Sequence, residues 1–260
     1  MKKTKPLDPE LTSILNQLEG YELTIGYKKT TAYIKYKFGQ YGGLFNHKKV
    51  YRHMKNLGLL QPKHVKKPKN RKKTDIIWSS PIASNVRWEA DLTYVASRQG
   101  NMYLFTVLDV FDKEIIGEWM GFRCRAEDAV KSLEAAILKR FPEGKVTDGL
   151  ELILRLDRGC QYTAEKFGQC ARKFNIEFEF CDVQAPNQKP YIESFFANFK
   201  REEVYRNDYQ NPIQVIQAWR SFVDWYNLKR PHGSIRFLSP VQFRQQIESK
   251  HSLKQAQILS

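Results

Sequence analysis

The chain has 260 residues and a net charge of +15, and its 42% hydrophobic and 13% aromatic residues exclude a largely disordered protein. No stretch approaches the roughly 20 consecutive apolar residues of a membrane span, and the basic N-terminus is not followed by a signal-like apolar segment. The four cysteines form no CxxC pair, so we expect reduced, mostly buried thiols rather than a zinc site. An intracellular, globular protein is therefore expected.

The positive charge is concentrated in the first third of the chain. Residues 1–80 contain 18 Lys+Arg against 5 Asp+Glu, whereas residues 81–260 contain 25 against 23. A region with this imbalance favours binding to a polyanion such as a nucleic acid. A solubilising tail is the alternative.

Two short helices are predicted in this basic region, over residues 27–38 and over His47–Asn56 after an Asn46 N-cap, separated by a glycine-containing break at residues 39–43. This pattern indicates a helix-turn-helix domain within residues 1–60, and a small helical hairpin with a solvated face is the alternative. The second helix carries four basic residues that we expect to contact DNA: Lys48, Lys49, Arg52 and Lys55.

Residues 61–80 are predicted to be a basic linker. The segment 61–73 holds seven Lys/Arg, two prolines and no acidic residue, so repulsion and proline disfavour a helix. Lys66 and Lys67 are the candidate phosphate contacts in this linker.

From about residue 81 the pattern becomes that of an α/β domain, predicted to extend to residue 246 and to be followed by a tail at 247–260. Strands are predicted at 87–95, 102–111, 114–121, 150–156 and 176–180, and helices at 126–141, 163–174, 191–205 and 213–227. The order β-β-β-α-β-α-β-α-α predicts a mixed sheet covered by helices.

Two acidic residues occupy positions where an acid is costly. Asp91 lies inside the first predicted strand. Asp157 follows directly after the predicted aliphatic strand 150–156, at the carboxyl end, where ligand groups are commonly found in α/β sheets. Glu193 opens the next long helix, a position that the helix dipole alone also favours. Thirty-five residues separate Asp157 from Glu193.

Four segments carry a family resemblance. They are residues 88–95 (WEADLTYV), 156–163 (LDRGCQYT), 186–196 (PNQKPYIESFF) and 225–232 (WYNLKRPH), the last followed by Ser239-Pro240. In this order and with the 35-residue gap, the chain resembles the retroviral-integrase-type catalytic core and, more narrowly, the second-frame (OrfB-type) transposases of the IS-three family of bacterial insertion sequences.

The resemblance implies a ribonuclease H-like fold in which Asp91, Asp157 and Glu193 bind two Mg²⁺ or Mn²⁺ ions. It implies nicking at element ends and 3′-OH strand transfer, with terminal inverted repeats and target DNA as partners. It also implies homo-oligomers, a possible upstream-frame partner or fusion, and a cytoplasmic, nucleoid-associated bacterial protein with no membrane partner.

Two segments depart from the family pattern. Gln188-Lys189-Pro190 stands where many relatives have Asp-Asn-Ala, and Arg155-Leu156 where many have His-Ser or Arg-Ser. Both leave the three carboxylates in place. Further candidate DNA contacts are Lys200, Arg201 and Arg230, each with a solvated or structural role as the alternative.

Two other functions fit the same residues. A nuclease of this fold would nick DNA without joining it. A DNA-binding regulator with an inactive core would bind DNA without cleavage, although the three intact carboxylates argue against it.

Overall fold

The computed structural model describes residues 6–39, 45–62, 81–144, 146, 149–182 and 188–259, with side chains described up to residue 250. The chain forms two compact units, one of Met1–Asn70 with Asp224–Phe243 and one of Arg71–Val223 with Arg244–Ser260. The sequence-based boundaries had assigned residues 224–243 to the second unit. The predicted break at 39–43 and linker at 61–80 lie almost wholly outside the described residues.

The described residues of the first unit include the short helices α1 (Pro9–Asn16), α2 (Tyr27–Lys37) and α3 (His47–Asn56). Asp8 caps α1 by accepting from the Leu11 N–H, and Asn46 caps α3 by accepting from the Lys49 N–H, as Asn and Asp commonly do. The predicted helices α2 and α3 are therefore confirmed, whereas α1 was not predicted.

The separate segment 224–243 belongs to the core of this unit. It begins with a π-helical turn at Trp225–Lys229, and the Trp225 ring stacks on Tyr21 and meets Tyr33 edge-on, at centroid distances of 6.1 and 5.3 Å. These aromatic contacts explain why a segment so distant in sequence groups with the N-terminal helices.

The second unit is built on one five-stranded sheet with the order β3-β2-β1-β4-β5. Its strands are β1 (Arg87–Ser97), β2 (Gly100–Asp109), β3 (Ile115–Gly121), β4 (Leu152–Leu156) and β5 (Ile176–Phe180). β1, β2 and β3 pair antiparallel, while β4 pairs parallel with both β1 and β5. The predicted mixed sheet is confirmed.

The helices described after the first strands are α4 (Ala126–Arg140), α5 (Cys160–Thr163), α6 (Glu165–Lys173), α7 (Pro190–Glu202), α8 (Pro212–Asp224) and α9 (Pro240–Leu259). Trp88, Leu154 and Leu133 share the main hydrophobic core on the face covered by α4. On α7, Phe195 and Phe199 pack against Trp219 of α8.

Some boundaries differ from the prediction. The helix predicted at 163–174 is divided, because Ala164 adopts an extended conformation between α5 and α6. The predicted tail at 247–260 is helical up to Leu259 as the end of α9. Of the thiols, Cys170 and Cys181 are buried, whereas Cys124 and Cys160 are exposed, so the expectation of mostly buried cysteines holds for only two of four. No helix in the described residues is long and apolar enough to cross a membrane.

Candidate active site

The parallel pairing of β1 and β4 brings two of the predicted acids together. Glu89 pairs with Arg155 in this register, and two residues further along each chain lie Asp91 and Asp157. Successive side chains of a strand point to opposite faces, so these four residues share the face opposite Trp88 and Leu154. The sheet therefore places the two aspartates side by side, on the side away from the main core.

Lys189 lies between these aspartates. Its Nζ is 3.1 Å from Asp91 Oδ1 and 3.1 Å from Asp157 Oδ2, and it also donates to the Ala90 carbonyl at 3.4 Å. The Lys189 side chain is 7% exposed, that of Asp91 19% and that of Asp157 46%. Two carboxylates thus converge on one positive charge, and the lysine that carries it is mostly buried.

The pKa directions follow from this burial. Burial raises the pKa of Asp91 above its ordinary value, the Lys189 charge opposes this, and the Asp157 charge adds to it. For Lys189, burial acts to lower the pKa, but the two aspartates outweigh it and the pKa is raised. The ammonium is held in its charged form by the pair of carboxylates.

Glu89 fixes the beginning of α7. It is fully buried, and its Oε2 accepts from the backbone N–H of Ile192 at 2.9 Å and of Tyr191 at 3.2 Å. Both N–H groups belong to the first helical turn, where a carboxylate is favoured by hydrogen bonding and by the helix dipole. Burial nevertheless raises the pKa of Glu89 to about 7.

Arg155 links Glu89 to the loop before α7. Its Nη1 donates to the Gln188 carbonyl at 2.8 Å and lies 3.8 Å from Glu89 Oε1, while its Nε donates to Glu179 of β5 at 2.7 Å. One side chain, only 2% exposed, thereby joins three strands to the segment that carries Lys189. Position 155, noted from sequence as part of a departure, is a structural junction.

Glu193 lies one turn into α7, with an exposed side chain. Its position relative to β1 is set through the Glu89 contacts at the start of the same helix. Among the described residues, no three His, Cys, Asp or Glu side chains form a group able to hold a metal ion. The structure therefore brings Asp91 and Asp157 together, and the participation of Glu193 stays a prediction.

The aspartate pair fits a hard divalent cation. Carboxylate oxygens are the ligands that Mg²⁺ prefers, and a positive charge already occupies the point on which they converge. The buried Tyr162 hydroxyl has no hydrogen-bond partner in the described part of the chain. Burial and the charges of both aspartates raise the Tyr162 pKa well above its ordinary value, which places a neutral hydroxyl beside the pair.

The candidate DNA contacts differ in how available they are. In α3, Lys48 and Lys55 are exposed, whereas Lys49 forms an ion pair with Asp8 at 2.6 Å and Arg52 donates to the Pro6 carbonyl at 3.4 Å. Half of the predicted contacts of this helix therefore also serve to join it to the start of α1.

The remaining candidate DNA contacts lie outside α3. Lys200 is half-buried, and Arg201 donates to Asn198 and Glu202. Arg230 is 1% exposed, and its guanidinium lies 5.7 Å from the Tyr226 ring. This environment favours a structural role for Arg230 over a DNA contact. Lys66 and Lys67 lie outside the described residues.

Sequence reasoning did not assign Glu89 and Lys189 to the site. An acid between Trp88 and Ala90 in an apolar strand was a visible signal for the first, and the departure from the family loop was a signal for the second. Neither signal specifies the contacts, because these join residues about 100 positions apart.

Two segments of the chain match models of known protein families. Residues 82–186 match one integrase core domain family, and residues 175–240 match a second family with the same description. The two segments overlap and span both aspartates, Lys189 and Glu193.

Curated relatives are insertion-sequence proteins. The chain is 26% identical over 162 residues to the transposase for insertion sequence element IS904 of Lactococcus lactis, covering 62% of each chain. It is 31% identical over 172 residues to an uncharacterized 31 kDa protein of insertion element IS600 of Shigella sonnei, covering 64% of this chain and 59% of that one. The matched segments thus span about six tenths of these relatives' own lengths.

A longer match and a solved structure complete the comparison. An uncharacterized 31.7 kDa protein of insertion element IS407 of Burkholderia multivorans is 26% identical over 238 residues, covering 90% of this chain and 80% of that one. A chain of the simian T-cell lymphotropic virus intasome structure has a TM-score of 0.55 at 14% identity, covering 82% of this chain and 74% of that one. At this identity the likeness concerns the fold, and the expected ribonuclease H-like fold is confirmed.

Proposed function

We propose that the chain is the catalytic subunit of a DNA transposase, because two of its segments match integrase core domain families and it is similar to insertion-sequence transposases. It would nick DNA at the ends of its element and join the freed 3′-OH to a target. The observation that supports this most is the convergence of Asp91 and Asp157 on a single positive charge at adjacent parallel strands.

The carboxylates of this site would hold two divalent ions, Mg²⁺ or Mn²⁺. Asp91, Asp157 and Glu193 are the residues that would hold them. When bound, such ions activate the attacking oxygen and stabilise the leaving oxygen of a phosphodiester. No covalent bond between protein and DNA is required, so the exposed Cys160 is not assigned a role.

The protein's own residues position these groups. β1 and β4 hold the aspartates in register, and the buried Glu89–Arg155 contact fixes where α7 starts and thus where Glu193 is presented. Preorganisation of this kind matters because small misplacements of reacting groups are costly in rate.

DNA is the proposed substrate of the whole assembly. Terminal inverted repeats and a target duplex would bind the basic first unit and the core, and the active form would be a homo-oligomer. An upstream-frame product, as partner or fusion, would supply further DNA binding.

The test is a strand-cleavage and joining assay on labelled DNA carrying the terminal repeats that flank the gene, with Mg²⁺, with Mn²⁺ or with EDTA. Wild type is compared with Asp157→Asn and with Asp208→Asn. Asp208 is an exposed acid of the same unit that pairs with Arg98, which makes it a matched control. We expect metal-dependent nicking and joining by wild type and Asp208→Asn, and DNA binding without chemistry by Asp157→Asn.

Each outcome separates the alternatives. Nicking without joining indicates the nuclease. Binding without chemistry by the wild type, unchanged when the upstream-frame fusion is supplied, indicates the regulator. Retained nicking by Asp157→Asn contradicts the assignment of the site.

A further inference from the structure

The first unit contains a pocket of about 570 Å³ that includes none of the DNA contacts expected from the sequence. Residues of α2, the beginning of α3 and the loop after residue 235 form its walls. The lining residues are Lys28, Thr31, Ala32, Lys35, Phe45, Asn46, His47, Arg236 and Phe237. Three of these carry a permanent positive charge, and none of the lining residues that the structure describes is acidic.

Within the described residues, these three cations have no charged partner, unlike Lys37 nearby. Lys28, Lys35 and Arg236 are exposed, and within the described parts of the chain none of them makes an ion pair or a side-chain hydrogen bond. By contrast, Lys37 on the same helix as Lys28 and Lys35 is bound to both carboxylate oxygens of Glu22, at 2.7 and 2.8 Å. Uncompensated charge around a concave surface favours an anionic ligand.

The backbone at the pocket wall is strained. Arg236 has φ 60° and ψ 30°, and Phe237 has φ 60°, so two consecutive residues with side chains occupy the left-handed region. This conformation is unfavourable for residues other than glycine, and it is commonly found at binding sites. We therefore infer that this loop conformation serves binding as well as reversal of the chain direction.

Backbone hydrogen bonds hold this conformation in place. The Phe237 N–H donates to the His232 carbonyl at 2.9 Å, and the His232 N–H donates to the Leu238 carbonyl at 3.0 Å. Beyond the loop, Ser239 and Gln242 cap α9 reciprocally. The loop is thus closed on itself, and it presents the side chains of Arg236 and Phe237 to the pocket.

We propose that this pocket binds the phosphodiester backbone of double-stranded DNA, with Lys28, Lys35 and Arg236 contacting phosphates. The ring of Phe237, 41% exposed, packs against the deoxyribose next to them. The inference rests on the proposed function for the identity of the polyanion. It adds a contact surface formed partly by the segment 224–243, which lies beyond the integrase-like strands in sequence.

Arg236→Gly is the most informative variant, because relief of backbone strain should raise its stability while loss of the charge should lower its DNA affinity. Glycine adopts a φ of 60° freely, so the melting temperature of the variant should rise. Loss of the guanidinium should weaken DNA binding and make the plot of log affinity against log salt less steep by about 0.9. Lys28→Ala and Lys35→Ala should reduce the slope similarly without raising the melting temperature.

The measurement uses the full chain in EDTA, with fluorescence anisotropy of a labelled duplex of mixed sequence across a salt series. Lys229→Ala is the matched control, because Lys229 is exposed in the same unit and does not line the pocket. The proposal predicts weaker binding by the three pocket variants and wild-type binding by the control.

A higher melting temperature with unchanged affinity in Arg236→Gly overturns the proposal, as does equal weakening by Lys229→Ala. Because no metal is present, the result is independent of catalysis. Cleavage by the wild type with Mg²⁺ is a separate readout of the catalytic proposal, so a failure of that proposal is distinguishable from a failure of this one.

Discussion

Replacing Lys189 by methionine tests whether this lysine holds the aspartate pair together in the absence of metal. Methionine keeps most of the side-chain volume and removes the charge. Both aspartates then lose their cationic partner, and Asp91, with a side chain only 19% exposed, is the more affected. In EDTA we expect the Lys189→Met protein to be less stable than the wild type.

The magnitude follows from the burial of each pair. Removing one partner of a buried ion pair costs about 3–5 kcal/mol, whereas exposed pairs contribute about 0–1 kcal/mol. The Asp91 pair is close to the buried case, and the pair with Asp157, which is 46% exposed, is closer to the exposed case. We therefore expect a loss of about 3 kcal/mol in the free energy of unfolding, measured by urea denaturation.

Divalent metal should offset the stability difference between the wild type and Lys189→Met. In the wild type, an ion binding between the aspartates must displace the Lys189 ammonium, and about 3 kcal/mol corresponds to an affinity lower by about 100-fold. Lys189→Met should therefore bind Mg²⁺ more tightly by up to this factor in calorimetric titration. It should also gain more stability from saturating Mg²⁺ than the wild type does.

A matched control comes from the exposed pair between Lys166 and Glu127, whose side chains are 60% and 50% exposed. Lys166→Met should change stability by less than about 0.5 kcal/mol and leave Mg²⁺ affinity unchanged. If Lys189→Met in EDTA is as stable as the wild type and its Mg²⁺ affinity is also unchanged, the reasoning is refuted.

Three further changes probe the framework of the second unit. Glu89→Gln should cost about 1–3 kcal/mol and reduce cleavage while DNA binding in EDTA persists, because the buried start of α7 loses a charged acceptor; urea denaturation and the nicking assay report the two effects. Burial raises the pKa of Asp109 to about 7, above the roughly 3.9 of an unfolded aspartate, so the folded state binds more protons between these values. The stability of the wild type relative to Asp109→Asn should therefore fall as pH rises from about 4 to about 7, and a parallel pH profile would contradict this. Gly117→Ala would place a methyl carbon against the Ser132 carbonyl oxygen and 2.7 Å from the Ala136 Cβ in α4, and should cost about 1–3 kcal/mol in thermal unfolding. Gly26→Ala, with open space around the new atom, should be nearly neutral.

Local patterns in the sequence were sufficient to predict most of the second unit. The aliphatic run at 150–156, the hairpin before Ile115 and the amphipathic segment at 126–141 each follow the period of one secondary structure, and all appear near the predicted positions. The same local reading missed α1, although Leu11, Ile14 and Leu15 have helical spacing within its eight residues, and it missed the break at Ala164.

The candidate site was also only partly predictable from the sequence. Asp91 and Asp157 were recognisable from sequence, since an acid inside or at the end of an apolar strand needs a compensating partner. The identity of that partner was not recognisable, because Lys189 reaches Asp91 only through the parallel pairing of β1 with β4 and the loop that leads into α7.

The sequence by itself determined the kind of protein this is: a basic N-terminal helical region, a mixed sheet, and three acids at the spacing of an integrase-like core. Only the tertiary structure decided which charges meet. It placed Lys189 between two aspartates, set Glu89 at the start of α7, and grouped the segment 224–243 with the N-terminal helices. The physical reason is that periodicity and capping act between residues a few positions apart, whereas ion pairs and aromatic contacts depend on distances that the chain reaches only after it has folded.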